Sequence, residues 1–117
     1  MKRIVMLTCP LSEKVCTGGS CLRAFNERIR AFAQYKGENL ELAAFMKCSG
    51  CGHFPGKDKG LDEKIQYVLD AKPDVVHVGI CASKGKVDRK LCPEIKAITD
   101  IWEKAGIPIV RGTHSEF

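Results

Sequence analysis

No apolar run in this 117-residue chain approaches the roughly 20 residues that a membrane span requires. Near the amino end, Lys2 and Arg3 precede the apolar Ile4 to Leu7 and Cys9 follows, in the manner of a lipoprotein signal. The run is too short for one, since a signal h-region needs about 7 to 15 apolar residues. Repeats, low-complexity tracts and linkers are also missing. Aromatic residues amount to only 7%, and the spread of basic residues lacks an interleaved aromatic set. The net charge of +5 therefore does not read as a nucleic-acid surface, because the cations are mingled with acidic side chains. What remains, 44% hydrophobic and 28% charged residues, is ordinary globular usage and excludes disorder and fibrous architectures. The length fits one domain, 1–117, burying roughly two thirds of the unfolded chain's surface.

One residue type is abundant. Seven cysteines in 117 residues are fewer than the roughly 8 to 10% of a small disulfide scaffold, and an odd number cannot all pair. With no targeting segment the expected compartment is the cytoplasm, where thiols stay reduced and clustered cysteines bind metal or carry out redox chemistry.

The hydrophobic pattern changes period along the chain. Arg3 to Thr8 reads as a buried strand stopped by Cys9-Pro10. Leu22, Phe25, Ile29 and Phe32 fall on one face of a helix that Lys36-Gly37 would close. Leu40 to Met46 reads as a second strand, and Leu61, Ile65, Val68 and Leu69 mark a helix that Pro73 prevents from running on. Asp74 to Ile80 is a valine-rich third strand, followed by a basic loop. A helix beginning near Pro93 turns Ile95, Ile98, Ile101, Trp102 and Ala105 inward, Gly106 ends it, and Ile107 to Val110 forms a fourth strand. The order β-α-β-α-β-α-β predicts an α/β three-layer sandwich of the Rossmann/flavodoxin-like kind, its four-stranded parallel sheet covered on both faces.

On that frame Cys9, Cys48 and Cys81 end the first three strands, Cys51 lies just beyond the second, and the fourth runs into Gly112-Thr113-His114. All carboxyl ends of a parallel sheet share one edge, where such folds bind ligands. Cys48-Ser49-Gly50-Cys51 is a C-x-x-C, whose spacer lets two sulfurs bend round one metal ion. A thioredoxin-type pair would begin a helix, but Gly52, Pro55 and Gly56 delay one here, and Gly52 stands where c-type haem attachment needs histidine. Cys16 and Cys21 flank a glycine-rich turn before the first helix. Cys92 precedes Pro93 at another helix start, a position that favours thiolate. These three are secondary thiols, and the ordinary alternative for each is a small buried hydrophobe. Among the histidines, His77 reads as a sheet-packing residue. His53 is a candidate ligand or proton carrier, and His114 a candidate ligand or general base.

Other chemistries lack their residues. No arginine stands six places after Cys9 or Cys81, as a C-x5-R phosphatase loop would require. The P-loop pattern, a serine nucleophile elbow and paired carboxylates at the sheet edge are absent as well. Lys84, Lys86, Arg89 and Lys90 form the densest basic patch, either a solvated loop or an attractor of an anionic small molecule.

These features together resemble the CGGC-domain family, small prokaryotic proteins described as metal binders for their cysteines and histidines. The resemblance spans nearly the whole chain. It is carried by Cys9 at a strand end, Cys16 and Cys21 before a helix, Cys48 and Cys51, Asp74-Val75-Val76-His77 leading to Cys81, Cys92-Pro93, and Gly112-Thr113-His114. Ser49 replaces the first glycine of the naming motif. The expected function is metal binding by Cys48, Cys51 and Cys81 with Cys9 or His114. Zinc is the expected metal, and an open coordination position would allow hydrolytic chemistry on an unidentified substrate. The alternative is an iron-sulfur or dithiol redox protein using the Cys48 and Cys51 pair.

Overall fold

The computed structural model describes residues 1–9, 16–50, 52–79, 81, 83–84 and 90–114. Its main sheet contains β1 (Lys2–Thr8), β2 (Leu40–Lys47), β3 (Val75–Val78) and a short last strand (Ile109–Arg111), every neighbouring pair parallel. The basic segment after β3, read from sequence as a loop, carries an antiparallel ribbon of two two-residue strands, β4 (Ser83–Lys84) and β5 (Lys90–Leu91), so the last sheet strand is β6. The order β2-β1-β3-β6 reverses direction between β1 and β3. The α/β sandwich predicted from the alternation of periods is therefore present, with the flavodoxin-like order and its switch point between those two strands.

Alternate residues of β1 serve opposite faces, as the period of two requires. Val5 and Leu7 join Val76, Val78, Leu61, Ile65, Val68, Ile95, Ile98 and Trp102 under α2 (Lys59–Ala71) and α3 (Pro93–Lys104). Ile4 and Met6 join Cys21, Ala24, Phe25, Phe32 and Tyr35 under α1 (Gly19–Glu27) and the 3-10 segment that follows it. Both cores are needed because every central strand is apolar on both sides.

The first helix differs from the expectation. It stops at Arg28, whose backbone is left-handed (φ 55°). Ile29 is extended, and the chain resumes as a 3-10 helix over Arg30–Tyr35. Phe32 thus reaches the core from a different element than Phe25, and the two rings meet edge to face at 5.6 Å. Leu22 and Ile29, expected on the inner face, are partly exposed, while Cys21 and Ala24 are buried in their place. The break rotates the buried stripe by about one residue, and polar Arg28 and Arg30 occupy the corner. In α3, Ala105 is the exposed C-cap rather than an inner residue. Among the described residues no helix is long and apolar enough to cross a membrane.

Candidate metal and thiol site

The site is built where β1 leaves the sheet. The β1–β2 register ends with Thr8 opposite Lys47, and one step further Cys9 and Cys48 follow on adjacent strands, the Cys48 N–H donating to the Thr8 carbonyl at 3.2 Å. On the other flank the Cys9 N–H donates to the Cys81 sulfur at 3.3 Å. Cys48, Cys9 and Cys81 therefore form a row across three neighbouring strand ends, centred on the switch point. Gly79 keeps this row open. A Cβ on it would stand 3.3 Å from Cys81 Sγ, 3.4 Å from Thr8 Cγ2 and 3.6 Å from Thr113 Oγ1. The Gly79 N–H continues the ladder to the Leu7 carbonyl at 2.9 Å, so bare backbone lies between the Cys81 thiol and the side chains of Thr8 and Thr113.

Beyond the row, another thiol lies on the α1 side. Cys21, 2% exposed in the first turn of α1, has its sulfur 3.2 Å from Thr113 Oγ1 and 3.3 Å from His114 Nδ1. Burial pushes the Cys21 thiol above its ordinary pKa against the lowering effect of the Thr113 hydrogen bond, and Cys81 and Cys16 are close enough that their charges push it the same way. Exposed Cys16 accepts the Gly18 N–H at 3.4 Å. It lines a 310 Å³ cleft with Thr8, Thr17, Gly18, Phe45 and Lys47 at the same edge.

The thiol of Cys92 is on the opposite face. Cys92 is buried in the α2/α3 core together with Cys48 and donates its S–H to Glu94 Oε2 at 2.7 Å. It thus stands as a thiol, whereas its place at a helix start alone favoured the thiolate, because a carboxylate two residues on offers a strong acceptor. The other oxygen of Glu94 accepts the Gly52 N–H at 3.2 Å. Sequence inspection passed over Glu94. The only signal for it is an acidic residue directly after a Cys-Pro helix start.

Sequence grouped Cys9, Cys48, Cys51, Cys81 and His114. The structure brings Cys9 beside Cys48 and Cys81, and joins His114 to Cys21. Cys51 lies outside the described residues, as do Lys86 and Arg89 of the basic patch. Among the described residues no three Cys, His, Asp or Glu side chains are arranged to hold one metal ion. The turn after β2 demands glycine at position 50, where φ is 103°, while Ser49 has no left-handed backbone, so the serine replaces a glycine where none is required.

The remaining histidines have structural partners. His53 Nδ1 meets Asp58 Oδ2 at 2.5 Å, and Asp58 Oδ1 caps α2 by accepting the Leu61 N–H at 2.9 Å. These bonds, the Leu61 N–H first and His53 second, hold the Asp58 carboxyl below its usual pKa. His77 is fully buried against Phe32, as the sheet-packing reading expected.

A family model described as CGGC domain matches residues 3–114. An uncharacterized protein of Methanocaldococcus jannaschii is 32% identical over 117 residues, covering 97% of this chain and 81% of the relative. No solved structure matches.

Proposed function

The chain belongs to the CGGC-domain family, and on that footing we propose that it is a metal-binding protein with its site at the carboxyl edge of the sheet. The observation that carries the reading is the row Cys48, Cys9, Cys81 across three strand ends at the switch point. Three soft-donor residues follow neighbouring strand ends there, and Gly79 leaves the backbone beside Cys81 without a side chain. Cys51 is the fourth donor by its spacing from Cys48, with His114, at the same edge, in reserve. Thiolate ligands with an imidazole nearby suit zinc among the common divalent metals. Bound in this row, zinc would supply Lewis acidity. His114 would carry protons at the edge, and the cleft lined by Lys47 and the start of α1 would receive a small, anionic molecule.

Anaerobic purification followed by metal analysis and a visible spectrum tests this reading. Stoichiometric, colourless zinc is the expected result, lost in a Cys9→Ser, Cys48→Ser double variant. A brown preparation containing iron and acid-labile sulfide would replace it with an iron-sulfur protein. Unchanged zinc in the double variant would overturn the ligand row.

A further inference from the structure

The buried carboxylate of Glu94 is used by nothing in the site as described so far. It is only 6% exposed, in the first turn of α3, where the helix dipole favours negative charge. Its two oxygens face different parts of the molecule. One takes the thiol proton of Cys92 at 2.7 Å, and the other takes the backbone N–H of Gly52 at 3.2 Å. Gly52 immediately follows the Cys48 to Cys51 segment, and its backbone is left-handed (φ 88°). The partners on the two sides are 42 positions apart in sequence for Gly52 and two apart for Cys92, so the carboxylate ties a loop to a helix start through a single residue.

Burial of a carboxylate is costly unless its oxygens are hydrogen-bonded. Such a group is retained most readily where it fixes something that packing does not. Among the described residues between buried Cys48 and buried Leu61 none is fully buried: Phe54 and Pro55 are half-buried, and His53 and Lys57 are exposed.

We infer that Glu94 is a positioning residue for the metal site, its carboxylate clamping the Gly52 N–H and the Cys92 thiol so that the chain leaving β2 after Cys48 is held to the start of α3. The inference rests on the proposed metal reading. Glu94 acts through the loop and does not touch the ion. Outer residues that orient ligands in this way typically contribute about 10- to 100-fold to metal affinity.

The test uses the full chain and zinc alone, titrated in competition with a chromophoric chelator. Alongside it, Gly52 amide exchange is followed by NMR in the metal-free protein. Glu94→Ala should weaken zinc binding about 10- to 100-fold and remove the protection of the Gly52 amide. Glu94→Gln, whose side-chain oxygen still accepts from Gly52, should recover most of both, and Cys92→Ser, which keeps a donor to the carboxylate, should bind as the parent does. Should Glu94→Ala not fold, the Glu94→Gln and Cys92→Ser pair still decides, because strongly weakened binding in both variants contradicts a hydrogen-bonding clamp. Wild-type affinity in Glu94→Ala would also overturn the clamp. So would an altered ligand-field spectrum of the cobalt-substituted Glu94→Gln protein, since it would make Glu94 a direct ligand. Absence of zinc binding by the parent would sink the metal reading, while the Gly52 exchange data would still judge the clamp.

Discussion

His77 carries its proton on Nδ1. The Gly112 carbonyl, 2.8 Å away, can only accept, so Nδ1 donates, and Nε2 accepts from the Tyr35 hydroxyl at 2.8 Å. Burial holds His77 below its ordinary pKa against the opposing Gly112 bond, and burial followed by Glu38 raises Tyr35, keeping it the donor. The sign of the pH effect follows. Below the unfolded value, about 6.5, the unfolded chain takes up a proton that the native state refuses, so stability falls on acidification until the lower native pKa is reached. Urea unfolding between neutral pH and pH 5 should show that loss, and a His77→Gln variant should show a flatter profile. The opposite charge logic governs Asp58: its depressed pKa makes its cap effective at neutral pH and lost as pH falls through the native value, so Asp58→Ala should lower the melting temperature at pH 7 and matter least in strong acid. The valine-rich strand made His77's packing role legible in sequence. Its hydroxyl partner was not, because Tyr35 comes from a 3-10 segment that the periodicity had absorbed into α1.

At the level of elements, helix starts were readable and helix ends less so. Pro93 at the first position of α3 fixed that boundary, and Asp58 marks the start of α2 through its bond to Leu61. Gly106 announced the end of α3, but the endings of α1 and α2 rest on backbone conformations that no local residue type announces: Arg28 and Lys72 adopt positive φ although neither is glycine. Lys72 caps α2 at φ 50° with an exposed side chain. Lys72→Gly should therefore relieve left-handed strain and raise stability by about 0.5–1 kcal/mol, read as a higher urea midpoint at unchanged slope. The spacings of three, four and three between Leu22, Phe25, Ile29 and Phe32 suggested one long helix because a hydrophobic period does not show where the backbone breaks, here at Arg28.

For the whole molecule, strand alternation was enough to predict one edge for the strand-end cysteines, since parallel topology places every carboxyl end there. It could not predict which thiols become neighbours, because that depends on strand order. With β1 and β3 adjacent, Cys9 meets Cys81, while Cys21 is drawn to Thr113 and His114 beside the end of β6. Nor could it divide the thiols between the two cores, which places Cys21 under α1 and Cys92 under α2 and α3. Gly79, unremarkable in sequence, sits at the centre of the arrangement. Gly79→Ala adds one carbon within 3.3 Å of Cys81 Sγ at ordinary backbone angles, so it should weaken zinc binding by chelator competition while moving the melting temperature little.

The bond from Cys9 to the Cys81 sulfur joins positions 72 apart in the chain. Closing so long a loop costs entropy that only the completed β1–β3 pairing offsets, and such non-local contacts form late in folding. The thiol row is thus assembled only as the central strands come together. During synthesis and refolding the same cysteines are dispersed along an open chain, so the species most exposed to oxidation is the nascent one, and an ion held across the row would act as a latch that slows the chain's reopening.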